Sequence, residues 1–107
     1  MTVQGTLRGD TLYLCLIGEI DSFGADRVRR ECDRLIEGNI QAARIVFNME
    51  RVSFVDSAVI GFLMGRYKKA SSFNIPVFIQ SPPFSADKLL SLSGIYSIIP
   101  KTKYEAI

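Results

Sequence analysis

Between Asp21 and Gly38 the apolar residues Ala25, Val28, Cys32, Leu35 and Ile36 recur at three- and four-residue steps, and short runs of β-forming residues lie on both sides of them. That switch of period, from extended to helical and back, restricts the chain to architectures in which strands and helices alternate. Upstream, "TVQGTL" and "TLYLCLI" are separated by "RGD", where Gly9 and Asp10 let the chain reverse, so these two runs read as a hairpin. Within "DSFGADRVRRECDRLIEG" either Asp21 or Ser22 is placed to cap a helix and Gly38 to stop it, with Arg27, Arg30, Glu31 and Arg34 on the polar face.

Downstream, "ARIVFNM" reads as a short buried strand, residues 57 to 72 as a second helix, and "IPVFI" as another strand. Pro82-Pro83 marks a loop, "SADKLLSLSG" a short helix from Ser85 to Gly94, and "IYSIIP" a last short strand. The order ββαβαβαβ predicts an α/β fold: one domain over residues 1–107, with helices packed on a mixed, largely parallel sheet. At 48% hydrophobic, 107 residues supply one core and no second domain. "KTKYEAI" reads as the opening of a further helix that stops almost at once.

Several function classes drop out on residue type alone. The chain has no histidine, which removes the commonest general base and metal ligand together and with them serine-hydrolase triads and zinc-hydrolase motifs. Cys15 and Cys32 sit in apolar contexts and match no metal spacing or C-x-x-C pattern, so they read as reduced core residues. There is no G-x-G-x-x-G and no G-x-x-x-x-G-K, so neither a cofactor nor a metal is expected. Thirteen Lys and Arg against eleven Asp and Glu leave +2 with both signs scattered, which is no footprint for nucleic acid. No basic-then-apolar leader opens "MTVQGTLRGD", and no apolar run nears the ~18 residues that span a bilayer. A soluble, cytoplasmic protein without a membrane partner is the expectation.

One stretch, "RVSFVDSAVIGFLMGRYKKA", sets an acid and a hydroxyl, Asp56-Ser57, at the head of an apolar helical run. The simplest reading is an N-cap and first-turn pair, whose side-chain oxygens accept from free N–H groups. A hydroxyl at a helix N-terminus is also well placed to carry a phosphate, which the unpaired N–H groups and the helix dipole favour and Asp56 opposes. With no His or Lys beside it, Ser57 suits a substrate better than a catalyst. "GEIDSF" carries a second acid–hydroxyl pair, Asp21-Ser22, for which capping is the local reading. Gly61-x-x-x-Gly65 has the spacing of a membrane dimerisation motif, but Arg66, Lys68 and Lys69 follow at once; close packing of this helix on the sheet is expected instead.

The pieces "GEID", "IVFNMERVSFVDSA", "GRYKKA" and "LSLSGIYSIIP" together resemble, in order and spacing over nearly the whole chain, the anti-sigma factor antagonists of the STAS domain family, particularly the sporulation branch. The resemblance implies that Ser57 is phosphorylated by an anti-sigma factor that is itself a serine kinase, and that a phosphatase restores it. It places Asp21, Asp56, Ile60 and Gly61 on the partner-binding surface. It implies partner switching: the unmodified domain binds the anti-sigma factor and frees a sigma factor, and the phosphorylated domain lets go. One departure is Val59, where the family usually has glycine, a β-branched side chain expected where a partner backbone approaches. Two alternatives share the fold: a STAS interaction module that is never phosphorylated, as in stress-signalling scaffolds or transporter-derived domains, and an α/β domain that binds a small ligand or acts as an enzyme at the strand ends.

Overall fold

The computed structural model describes residues 1–102. Strands β1 (Thr2–Arg8) and β2 (Thr11–Ile20) form the expected antiparallel hairpin, closing at the Arg8–Thr11 pair around Gly9, whose φ of 59° is the left-handed conformation that a tight reversal requires. Helix α1 (Ser22–Glu37) carries the chain back so that β3 (Arg44–Val55) pairs parallel with β2. Helix α2 (Ala58–Ser71) does the same for β4 (Val77–Gln80), giving a sheet ordered β1-β2-β3-β4. Helix α3 (Phe84–Ser93) follows the Pro82-Pro83 loop. The mixed sheet and its α/β class are as the periodicity requires.

Two-residue alternation sends Leu12, Leu14 and Leu16 of β2, Ile45, Phe47 and Met49 of β3, and Val77 and Ile79 of β4 to buried positions in one core. Val28, Cys32 and Ile36 of α1 join that core at helical spacing, with Val59, Phe62, Leu63 and Ala70 of α2 and Ala86 and Leu90 of α3. Both cysteines are free. Burial pushes the Cys32 thiol up to about 12, so it stays a neutral, unreactive core group.

Three expectations change. "IYSIIP" is not a strand: Ile95–Ser97 is a turn of 3-10 helix, and the chain touches the sheet just beyond it, where Lys101 makes an isolated parallel bridge with Ile79 through the Pro100 carbonyl and the Thr102 amide. Gly94, at φ 81°, ends α3 and redirects the chain, and the buried pair is Ile95 and Ile99, a helical i, i+4 spacing that a short apolar run hides inside apparent alternation. Tyr96 then donates to Asp87 at 2.7 Å and Lys101 meets the same carboxylate at 3.1 Å, tying the final turn to α3. Those two contacts, the Tyr96 hydrogen bond foremost, hold the Asp87 carboxyl below its ordinary range. The further helix expected in "KTKYEAI" lies almost wholly outside the described residues.

Strand β3 is also longer than its apolar half. It continues through "ERVSFV" to Val55, with irregular pairing: Cys15 faces Asn48 but Ile17 faces Arg51, and Gly18 faces Val52 but Glu19 faces Phe54. Each shift inserts an extra β3 residue, a bulge that bends the strand and re-aims its last side chains. Alternation breaks at a bulge, which is why the strand pattern marked only "ARIVFNM".

The third change concerns α2. A Cβ placed on Gly61 or Gly65 would meet no atom within 4 Å, so neither glycine is there to let the helix approach the sheet. Replacing each with alanine is therefore expected to raise stability by about 0.5–1 kcal/mol through the lower entropy of the unfolded chain, measured by urea denaturation. A loss of stability in either variant would mean that the glycines do contact packed structure.

The contact that sequence reasoning missed is Arg66, only 5% exposed, whose Nε lies 2.7 Å from Asp33 Oδ1 of α1. The N–H is not aimed at that oxygen, so the pair attracts by charge without a formed hydrogen bond. Its Nη1 donates to the Phe62 carbonyl at 3.3 Å, and the guanidinium sits 5.4 Å from the Phe62 ring centre. Arg66 thus joins α1 to α2 beneath the surface.

Candidate functional site

Parallel strands deliver their C-terminal ends to the same edge of a sheet, together with the N-termini of the helices that follow. Here the ends of β2 and β3 meet directly: the Asp56 amide donates to the Ile20 carbonyl at 3.2 Å. Asp21 and Asp56, distant in sequence, head α1 and α2 side by side.

Asp21 is the α1 cap. Its Oδ1 accepts from the amides of Phe23 at 3.1 Å and Gly24 at 2.9 Å, satisfying two of the free donors of the first turn, and Ser22 is the first helical residue. At the head of α2 the roles divide. Asp56 Oδ1 accepts from the Ala58 amide at 2.8 Å, while Ser57, at the capping position in αR conformation, makes no side-chain capping bond. The acid does the capping that either member of the pair was expected to do. Ser57 is exposed, and its hydroxyl makes no hydrogen bond among the described residues. The amides of Val59 and Ile60 bond back to the carbonyls of Asp56 and Ser57 at 3.1 and 3.2 Å. A group attached to Ser57 would thus meet a first turn whose nearest amide is already held by a carboxylate.

The other expected site residues fall as follows. Gly61 is exposed and Ile60 half-buried, one turn along α2 from Ser57. Val59 is fully buried in the core, so its branched side chain does not stand where a partner would approach; that expectation is corrected by the helix rotation, which turns position 59 inward. Two features were missed in the sequence, Phe23 and Phe54, which are 93% and 51% exposed at this end of the sheet. Phe23 could have been found by angle. It precedes Val28 by five residues, which at about 100° each puts it roughly 140° from the buried stripe of α1.

Chemically the arrangement presents an accessible hydroxyl with no base bonded to it, which is an acceptor for an external group-transfer reagent and not an activated nucleophile. The larger hollows lie elsewhere: one of about 470 Å³ beside Leu7, Asn39 and Ile40, and one of about 430 Å³ between Tyr67, Val77 and Ile98. Neither is lined by Asp21, Asp56 or Ser57. No helix among the described residues is long and apolar enough to cross a membrane.

Comparison with known proteins places the chain as a whole. The chain is 33% identical over 91 residues to an anti-sigma F factor antagonist of Paenibacillus polymyxa, covering 83% of this chain and 75% of that protein. Its fold superposes on the anti-sigma factor antagonist SpoIIAA in its unphosphorylated form with a TM-score of 0.77 at 22% identity, over 95% of this chain and 89% of that one. On the phosphorylated form of the Bacillus cell fate determinant SpoIIAA the TM-score is 0.69, again at 22% identity, over 95% and 92%. Residues 3–106 match the STAS domain as a family. The alternating strands and helices agree with these matches, and the chain belongs to the STAS domain family.

Proposed function

We propose that this STAS domain is an anti-sigma factor antagonist whose docking surface is the Asp21/Asp56 end of the sheet and whose switch is phosphorylation of Ser57. The observation that carries the reading is Ser57 itself: exposed, unbonded and set at the head of α2 beside a carboxylate. The partner is an anti-sigma factor that is a serine kinase, and a phosphoserine phosphatase reverses the modification. The domain is the substrate in this cycle and not an enzyme, working in the cytoplasm where ATP is available, with transcription as its downstream output and sporulation as the setting that its relatives suggest.

The name of the 33% identical relative and the phosphorylated form of SpoIIAA support this reading. So does the physical arrangement. Asp21, Asp56, Ile60 and Gly61 surround Ser57 with acidic, apolar and backbone-exposing positions, a mixture suited to a protein interface more than to a small-molecule pocket. Asp56 occupies the amide that a phosphate would seek, so the modified state cannot settle quietly into the helix N-terminus.

The test is incubation of the purified chain with ATP and the anti-sigma F factor of Paenibacillus polymyxa, read by mass spectrometry and by size exclusion. One phosphate on Ser57, absent in Ser57→Ala, and a stable complex of the unmodified chain are expected. A complex without modification would favour an interaction module that is never phosphorylated, and neither complex nor modification would overturn the reading.

A further inference from the structure

We infer that Phe23 is an anchor of the docking surface, a side chain that enters an apolar pocket on the anti-sigma partner and helps to decide which partner is accepted. The inference rests on the docking reading given above and adds a residue and a partner chemistry to it.

Phe23 has no structural work to do where it stands. It is 93% exposed, far from the Val28, Cys32 and Ile36 stripe that holds α1 to the sheet, and its backbone, not its ring, is what the helix cap uses, the amide donating to Asp21 Oδ1. The chain therefore keeps a whole phenyl ring in water, a position that burial against another molecule would relieve. A single exposed apolar residue is ordinary on a protein surface. This one shares the head of the helix layer with Ile60 and Gly61 of α2, whereas Phe54, half exposed at the same end of the sheet, is turned to the opposite face because its neighbour Val55 packs on the core.

Distance allows one footprint to hold both Phe23 and Ser57. Ile20 and Asp56 are joined by the 3.2 Å hydrogen bond, Phe23 is three residues past the first and Ser57 one past the second. At no more than about 3.6 Å per residue the two Cα atoms lie within roughly 20 Å. A standard interface takes about 800 Å² from each partner, a disc roughly 30 Å across, wide enough to hold both residues at once. Because Asp21 and Asp56 each commit Oδ1 to an amide, they hold negative charge in place at the two helix heads beside Phe23 and Ser57. The surface that fits is an apolar pocket rimmed by basic side chains.

The experiment titrates the unsubstituted chain, Phe23→Ala, Phe23→Leu and Ile40→Ala against the anti-sigma F factor of Paenibacillus polymyxa with ADP present. Ile40 is a fair control because it is also a large exposed apolar residue, 49% exposed, but lies past the far end of α1. Phe23→Ala is expected to weaken binding at least tenfold with an unchanged melting temperature, Phe23→Leu to recover part of the loss, and Ile40→Ala to bind within twofold of the unsubstituted chain. Unchanged affinity in Phe23→Ala overturns the inference while leaving the docking reading intact, and an equal loss in Ile40→Ala overturns the claim that this position is special. Failure of the unsubstituted chain to bind overturns the docking reading, and this inference with it.

Discussion

Phosphorylated at Ser57, the chain is expected to bind its anti-sigma factor at least tenfold more weakly than the unmodified chain, a difference of about 1.4 kcal/mol or more. The origin is local electrostatics. A phosphoserine brings about −1.5 to −2 charges at neutral pH, and here it stands one residue from a carboxylate that already holds the Ala58 amide at 2.8 Å. Either the phosphate displaces Asp56 from that amide or it points outward into the interface. The first route rearranges the docking surface and the second buries a dianion against the partner, and both oppose binding. Fold stability should hardly change, because the helix N-terminus favours an anion by about 0.3–1 kcal/mol and the repulsion from Asp56 acts against it. Titration calorimetry of both forms, with melting curves alongside, separates the two effects. Ser57→Ala should bind like the unmodified chain, and Ser57→Asp should fall between the extremes because it carries one charge. Equal dissociation constants for the two forms would remove the switch.

Asp33→Ala is expected to cost about 3 kcal/mol of stability, although Asp33 is partly solvated. Its removal leaves the Arg66 guanidinium, with 6% of its side chain exposed, against the Phe62 carbonyl and ring and without its carboxylate. Arg66→Met is expected to cost less, about 1–2 kcal/mol, since the thioether chain replaces the buried stem and the Asp33 carboxylate, 26% exposed, can recover water. The double variant should therefore be more stable than Asp33→Ala alone, which urea denaturation at constant m would show as a coupling energy of about 1 kcal/mol or more. Additive losses would mean that the pair at 2.7 Å contributes nothing beyond packing.

The helix caps at this end of the sheet were partly legible because their parts are local. A capping acid announces itself by standing before a helical period, and both Asp21 and Asp56 do so. What could not be read was the division of labour at Asp56-Ser57, since either oxygen satisfies the same pattern and only the backbone angles, αR at Ser57, decide between them. Arg66 was hidden for a related reason. In sequence it continues a basic tail with Lys68 and Lys69, and nothing within α2 reveals that one of these positions turns toward α1.

The sequence by itself determined the elements and their order through α3, because helix period, strand alternation, capping acids and turn glycines act within a few residues of one another. It also determined the family, since the run from "GEID" to "GRYK" keeps its residues in register. Only the tertiary structure decided which residues meet. Sheet pairing brings Asp21 to Asp56, two bulges carry β3 past its apolar half, Val59 turns into the core while Gly61 stays open, and Ile95 with Ile99 pack as a helical turn where alternation suggested a strand. Each of these depends on what lies opposite in space, and burial by a neighbour distant in the chain leaves no local period to read.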